Sequence, residues 1–440
     1  MKNKFKNLKY AAAAFVLALG LSCSNDDDFT PTTPPAFEAD QDLSATLTMG
    51  DSITLYPKLS QREAATFKWE MNGEVVSTDS IYVYKPDTRG ESQITVSAGN
   101  DGGVVSLTYD VKTWGAYENG FFTVNEGWFG HGTGTVSFYR YDTEKIEDSI
   151  FAKTNPDKDL KPYGSTLEFG TIYNEKLYLV SKAGGPLVVT DAYTLKEEKR
   201  IEADKSLSWR AFTGINNDLG VLTSGDGIYK IDLNTLETQG PLAGITGQMG
   251  DVVVSGDYIY ALSARNGLVI FDVNTFEVVK TIENMSQGIT KTADGTVYTA
   301  GGTSLVKINP TTLEIENIPL GFTANGVWGA WHPGSMAASA DAVFIAKNGP
   351  WSGGNEIYRY DGDATSLASP FVSLPETQVI FGSGIGYDLE KEQLVINALD
   401  KGWGESYSRN TLYIFDGLTG TQTKAIDFTG YYFPAINVFH

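Results

Sequence analysis

From about Gly120 to the C-terminus, short apolar segments alternate with turns that are rich in Asp, Asn, Thr and Gly. One pattern recurs seven times: an apolar strand, an Asp or Asn, a Thr-rich turn and a second strand. Its marker residues stand 37 to 55 residues apart, at Asp142, Asp191, Asp232, Asp272, Asn309, Asp361 and Asp416. Apolar runs of strand length between such turns are typical of β-structure. Asp and Asn at the marker position favour a turn.

Before each marker strand lies another strand, and before most of those a third, so that each repeat holds about four. A repeat of this length with four strands is what one blade of a β-propeller requires. The pattern therefore predicts an all-β protein whose residues 114–440 form a seven-bladed β-propeller. The first repeat opens at its second strand, "FFTVN", and the chain ends in a spare strand, "AINVF". We expect the spare strand to complete the first blade and to close the ring, which removes exposed sheet edges.

Residues 37–113 precede the repeats and show their own strands and hairpin signals, "NG" and "NDGG". Trp69 alternates with polar residues in "FKWEM", as a core residue of a β-sandwich would. The segment resembles the PKD-like or Ig-like modules of bacterial surface proteins. We interpret it as a small β-sandwich that serves as a spacer.

The N-terminus begins with a basic stretch, continues with an apolar run over 10–21, and reaches Cys23. This is the order of a secretory signal, and the run is shorter than the about 20 residues that a membrane-spanning helix needs. It resembles a bacterial lipoprotein signal, which implies a signal peptide over 1–22, lipidation at Cys23 and a lipidated linker over 23–36. The alternative is an ordinary cleaved signal with an incidental Cys. The following "SNDDDF" resembles the acidic tag that exports lipoproteins to the outer face of Bacteroidota cells.

The amino-acid composition narrows the range of functions that the protein can have. The net charge of −21 repels nucleic acid, so we expect no nucleic-acid partner. A single Cys permits neither an intrachain disulfide nor a thiolate metal cluster, and we expect no metal and no cofactor. Three His and the lack of hydrolase or P-loop motifs favour a binding protein over an enzyme. Catalysis by His131 or His332 with an acid such as Glu126, or by a carboxylate pair, stays open.

Six of the eight tryptophans map to one face of the predicted propeller, in the loops between second and third strands or in the crossovers between blades. An exposed aromatic cluster with hydrogen-bonding neighbours is typical of a ligand site. We therefore predict a ligand-binding surface, without catalytic residues, formed by Trp128, Phe129, His131, Trp209, Trp328, Trp331, His332, Trp351, Trp403, Tyr407 and Tyr431. The alternative is that each Trp folds back to fill gaps between the blades.

The segments "FFTVNEGWFGHGTGTVSFYRYD" and "GTIYNEKLYLVSKAGGPLVVTDAYTLK" resemble the YncE-like propellers of Bacteroidota surface lipoproteins. That group includes proteins that capture cobalamin and pass it to a TonB-dependent transporter. The resemblance implies a protein of the outer membrane that is lipid-anchored and faces the cell exterior. Its small-molecule ligand would be a corrinoid, with a TonB-dependent transporter as partner. The alternative is a glycan-binding, adhesion or surface-layer protein.

Overall fold

The computed structural model describes residues 32–62, 65–160, 167–326, 336–349 and 353–440. The chain divides into two compact units. The second consists of Thr46–Asp51, Lys85–Gly90 and Lys112–His440, and the first contains the rest of the chain up to and including Val111. The predicted signal peptide and Cys23 lie outside the described residues. Within the described ranges, no helix combines the length and apolar character needed to cross a membrane.

Short antiparallel strands build the first unit. Their bounds are β1 Ala36–Phe37, β2 Ser44–Thr48, β3 Ile53–Leu55, β4 Leu59–Gln61, β5 Thr66–Met71, β6 Glu74–Ser77, β7 Tyr82–Tyr84, β8 Gly90–Asn100 and β9 Gly103–Trp114. The largest sheet has the order β2-β9-β8-β5-β6, while β3 pairs with β7 and β1 with β4. Trp69 is fully buried and packs against Tyr82 and Tyr109. Its indole N–H donates to the Asp79 carbonyl at 2.8 Å, which confirms the predicted core position.

The described part of the second unit contains seven four-stranded antiparallel sheets. Sheet 1 consists of β10 Gly120–Asn125, β11 Thr135–Arg140, β12 Lys145–Glu147 and β37 Pro434–Phe439; sheet 2 of β13 Leu167–Tyr173, β14 Lys176–Ser181, β15 Leu187–Asp191 and β16 Glu197–Ile201; sheet 3 of β17 Trp209–Gly214, β18 Leu219–Ser224, β19 Ile228–Asp232 and β20 Thr238–Gln239; sheet 4 of β21 Met249–Ser255, β22 Tyr258–Ser263, β23 Gly267–Asp272 and β24 Val278–Ile282. Sheet 5 consists of β25 Gly288–Lys291, β26 Val297–Gly301, β27 Ser304–Ile308 and β28 Ile315–Pro319; sheet 6 of β29 Met336–Ala338, β30 Val343–Ala346, β31 Glu356–Tyr360 and β32 Val372–Ser373; sheet 7 of β33 Gln378–Asp388, β34 Gln393–Asp400, β35 Arg409–Asp416 and β36 Gln422–Thr429. Among the described residues, the helical segments are α1 Ile150–Thr154 and two 3₁₀ turns, Ala364–Ala368 and Gly404–Ser408.

The innermost strands form a closed ring. They contact each other in chain order from β13 through β17, β21, β25, β29 and β33 to β37, and β37 contacts β13. The C-terminal β37 pairs antiparallel with β10, with Phe122 opposite Val438. The predicted closure by "AINVF" is therefore confirmed, as is the all-β propeller fold with a preceding sandwich.

The burial of a strand depends on its position within its sheet. The second and third strands of most sheets are buried along almost their whole length, whereas outer strands such as β20 and β24 are largely exposed. The marker residues close the turn before the outer strand. Asp272 accepts hydrogen bonds from the backbone N–H groups of Asn274 (2.9 Å) and Thr275 (2.8 Å). Asn309 does the same for the two residues at matching positions, so their role as turn formers is confirmed.

Candidate functional site

Three connections meet at one end of sheets 1 and 7. They are the β10–β11 loop (126–134), the β34–β35 loop (401–408) and the crossover from β36 to β37 (430–433). The crossover is joined to both loops by backbone hydrogen bonds of 2.7–2.8 Å: Glu126 N–H to Phe433 O, Gly127 N–H to Tyr432 O and Gly430 N–H to Ser408 O. The two loops are thus held in register with the closing strand.

These connections bring together the side chains that we call the aromatic cluster: Trp128, His131, Trp403, Tyr407, Tyr431 and Phe433. Phe129 follows Trp128 in the first loop and is exposed. The Trp128 ring centroid lies 4.7 Å from that of Tyr431 and 4.2 Å from that of His131, each at an interplanar angle of 32°. Trp128 itself is half-buried and also packs against the core at Phe433. Trp128 therefore supports the more exposed Tyr431 and His131.

The second half of the aromatic cluster centres on Phe433. This buried ring contacts Tyr407 at 5.4 Å and Phe381 at 5.2 Å between centroids. Tyr407 in turn meets Trp403 edge-on at 6.0 Å. Trp403 is 73% exposed, Phe129 60% and Tyr431 39%. A supported layer of rings thus carries two large exposed side chains, Trp403 and Tyr431, and Phe129 is exposed next to Trp128 in the same loop.

Local geometry explains how the loops present these rings. Gly127 has φ of +76°, and a Cβ there would lie 2.6 Å from the Thr133 carbonyl oxygen, so the turn before Trp128 requires glycine. In the other loop, Arg409 donates to Asp400 at 2.5 Å and to Ser406 at 3.1 Å. These bonds fasten both ends of the 401–408 loop.

A buried amide joins this loop to the crossover. Asn410 is 2% exposed, and its Nδ2 donates to the carbonyls of Ser408 (3.1 Å) and Gly430 (2.8 Å). Nearby, the Tyr432 hydroxyl donates to Asp148 at 2.9 Å. Burial, together with this bond, raises the pKa of Tyr432 to about 12, so the phenol stays protonated and keeps donating at neutral pH.

A second group of side chains lies beside the aromatic cluster and was missed as a group from the sequence. The charge network consists of four buried residues from sheets 1 to 3: Glu126, Glu168, Lys182 and Arg210. Lys182 Nζ lies 2.6 Å from a carboxylate oxygen of Glu126 and 2.6 Å from one of Glu168. Burial lowers the pKa of Arg210, and the carboxylates of Glu168 and Glu126 oppose that shift.

One feature of the sequence could have predicted the charge network. Glu168 and Arg210 each stand as a lone charge among apolar residues, in "LEF" and "WRAF", at the start of an inner strand. Buried charges are normally paired, so two such positions in neighbouring blades predict partners. The sequence left Glu126 open as an acid that acts with His131. In the structure, a carboxylate oxygen of Glu126 instead contacts Lys182 Nζ.

The predicted surface needs one correction. Trp209 is the first residue of the inner strand β17 and is 1% exposed, with its ring edge-on to Tyr229 at 5.3 Å. It packs into the core between sheets and does not belong to the aromatic cluster, because its strand begins earlier than the sequence indicated. Trp328, Trp331, His332 and Trp351 lie outside the described residues. Within the described ranges, no three His, Cys, Asp or Glu side chains are grouped to hold a metal ion.

Comparisons with known proteins bear on the fold. The family model described as a domain of unknown function (DUF5074) matches residues 119–440, and that of the PKD-like domain matches residues 34–100. No curated protein sequence matches the chain.

Two solved structures are similar to this chain. The first is a quinonprotein alcohol dehydrogenase-like protein from Bacteroides thetaiotaomicron, at 20% identity and a TM-score of 0.61, with 93% of this chain and 99% of that chain covered. The second is the computationally designed Ika8 protein, at 12% identity and a TM-score of 0.45, with 72% of this chain and 90% of that chain covered. At 20% identity, the likeness to the Bacteroides protein concerns the fold alone.

Proposed function

The chain belongs to the DUF5074 family, and we propose that it is a cell-surface protein that binds a ligand on the aromatic cluster of its propeller. One observation carries the proposal. Trp403 and Tyr431 come from separate connections, yet both remain substantially exposed on rings that pack against the cluster around Phe433. Phe129, from the third connection, is exposed as well.

Exposure of this kind has a free-energy cost. Fully burying one large apolar side chain stabilises a protein by about 1.5–3 kcal/mol, and these three side chains forgo much of that gain. The loops nevertheless hold them in place through Gly127, Asn410 and the Asp400–Arg409 pair. A contiguous apolar surface that is held in place and left in water favours a binding role.

A corrinoid is the first candidate ligand. Its broad ring with amide side chains matches rings such as Trp403 and Tyr431 with hydrogen-bonding groups such as Arg409 and His131 beside them. The resemblance to YncE-like surface lipoproteins supports the same choice. In this proposal the protein is lipidated at Cys23, anchored in the outer membrane facing outward, and delivers the corrinoid to a TonB-dependent transporter.

A glycan is the second candidate, and the Asp400–Arg409 pair favours it. The pair flanks Trp403, and Arg409 is half exposed. Sugars are recognised by an aromatic platform against the ring face together with planar polar groups at the hydroxyls, which this loop supplies. Under this alternative the protein is an adhesion or surface-layer component.

We favour binding over catalysis. The acid nearest in sequence to His131 is Glu126, which is buried and contacts Lys182. For His131 and Glu126 to act together as base and acid, both groups would have to lie within hydrogen-bond reach of one substrate. A buried carboxylate paired with an ammonium group suits a structural role better.

The test is a thermal-shift and calorimetric titration of the protein with cyanocobalamin and with a panel of soluble glycans. A ligand at about 100 times its Kd stabilises the native state by about 2.7 kcal/mol, which shifts the melting temperature measurably. Trp403→Ala should abolish the shift. Tyr56→Ala, which removes a 47%-exposed ring from the first unit, is the matched control and should leave it intact. A shift that survives Trp403→Ala would place the ligand elsewhere, and no shift with either ligand class would refute the proposal for both.

A further inference from the structure

Glu126 stands at a junction between the two groups of side chains described above. Its backbone N–H donates to the Phe433 carbonyl at 2.8 Å, and its carboxylate lies 2.6 Å from Lys182 Nζ. Two residues later comes Trp128, which contacts Tyr431 and His131. Whatever fixes the Glu126 side chain therefore also fixes the start of the loop that carries Trp128.

The position of Lys182 suits it to hold the Glu126 side chain in place. The residue follows β14 in sheet 2, and its ammonium group bridges Glu126 of the β10–β11 loop and Glu168 of the inner strand β13 at equal distances of 2.6 Å. All three side chains are at least nine-tenths buried. Water screens such a bridge little, and removing the ammonium group from a buried ion pair is strongly destabilising.

The network holds side chains of both charge signs. Glu126 and Glu168 supply two negative charges, and Lys182 and Arg210 supply two positive ones. Removal of the Lys182 charge takes its ammonium group away from both carboxylates. Glu126 is the member with a route to water, because it opens a loop whereas Glu168 lies within a strand. Movement of the Glu126 carboxylate toward water would carry the start of the 126–134 loop away from sheet 2.

We infer that Lys182 is a positioning residue for the aromatic cluster: through Glu126 it sets the direction of the β10–β11 loop and with it the contact of Trp128 with Tyr431. The inference rests on the proposed function for its purpose, since the loop has to be held in order to present a binding surface. The geometric part of the inference is independent of which ligand is bound.

The experiment labels the protein with 5-fluorotryptophan and follows ¹⁹F NMR. Trp128→Phe assigns the Trp128 resonance, and Trp69 in the first unit provides an internal reference. In Lys182→Met the Trp128 resonance should shift and broaden while that of Trp69 stays in place. Lys182→Arg, which keeps the charge, should restore the wild-type spectrum at least in part.

Lys176→Met is the matched control. It removes the same charge from the first residue of β14, the strand that Lys182 follows. Lys176 forms a more exposed ion pair with Glu198 at 2.5 Å, and its replacement should leave the Trp128 resonance unchanged. If Lys182→Met does not fold, Glu126→Gln gives the same test by removing the carboxylate charge. An unchanged Trp128 resonance in a folded Lys182→Met or Glu126→Gln variant would overturn the inference.

A binding readout separates this inference from the proposed function. If the wild type binds cyanocobalamin, Lys182→Met should weaken binding by about tenfold or more, and Lys176→Met should not. If the wild type binds neither cyanocobalamin nor glycans, the proposed function fails, while the ¹⁹F result still decides the role of Lys182.

Discussion

The indole of Trp128 lies 4.7 Å from the phenol ring of Tyr431, centroid to centroid. Trp128 follows β10, the first propeller strand in the chain, and Tyr431 precedes β37, the last, which pairs with β10. The contact therefore spans the closure of the propeller. A ligand on the aromatic cluster would touch both ends of the ring at once, and binding would stabilise the closed ring.

The Trp128–Tyr431 contact should be measurable as a coupling free energy. Aromatic pairs at such distances contribute about 0.5–1.5 kcal/mol beyond their area burial. Trp128→Ala, Tyr431→Ala and the double variant, compared by denaturant unfolding, should show a coupling in that range. The pair Trp128→Ala and Tyr56→Ala, in different units, should be additive within about 0.3–0.5 kcal/mol. Additive effects of Trp128→Ala and Tyr431→Ala would mean that the two rings do not support each other.

Truncation of Trp209 and of Trp403 should change the free energy of unfolding by very different amounts. Trp209 is 1% exposed and lies in the core, so Trp209→Ala should lower the free energy of unfolding by about 3–5 kcal/mol. Trp403 is 73% exposed, and Trp403→Ala should change it by no more than about 0.5 kcal/mol. Chemical denaturation followed by circular dichroism compares the two. A large loss for Trp403→Ala would show that its ring supports the fold.

The contrast between these tryptophans shows where sequence reasoning ends. Repeat spacing and turn chemistry predict the sheets, and the spare C-terminal strand predicts closure, because both depend on local patterns and chain order. Trp209 and Trp403 each stand near a predicted strand end beside polar residues, and an error of a few residues in a strand boundary decides whether such a ring enters the core. The charge network depends on contacts between Glu126, Glu168 and Lys182 across two sheets, which no local pattern contains.

Asn437 should stabilise the ring closure from within. Its side-chain oxygen accepts hydrogen bonds from Thr123 (2.9 Å) and Asn397 (2.7 Å), and all three residues are buried. Asn437→Ala leaves two buried donors without this acceptor, at about 1–3 kcal/mol for each unsatisfied group. Equilibrium unfolding should show a loss of that size, whereas Asn317→Ala on the exposed part of β28 should be nearly neutral. Equal stability of the two variants would argue against a role for Asn437 in closure.

The Asp residues of the marker turns should make the stability of the protein depend on pH in the acid range. Exchanging Asp and Asn at a marker position should remove or add that dependence. Hydrogen bonds from the backbone N–H groups of Thr275 and Asn274 hold the pKa of Asp272 below its ordinary value of 3.8. A carboxyl whose pKa is lower in the folded than in the unfolded state stabilises the protein above the unfolded value. That contribution is lost as pH falls through the folded value.

Asp272→Asn should therefore cost stability at pH 7 and cost progressively less as the pH falls below about 3.8. The amide can still close the turn, as Asn309 does by accepting from Thr311 at 2.8 Å and Thr312 at 3.0 Å, but it does not titrate. The reciprocal change, Asn309→Asp, should add stability at pH 7 that disappears in acid. Melting temperatures of the three proteins between pH 2.5 and pH 7 provide the test. Parallel curves for wild type and Asp272→Asn would mean that the carboxylate charge contributes nothing to this turn.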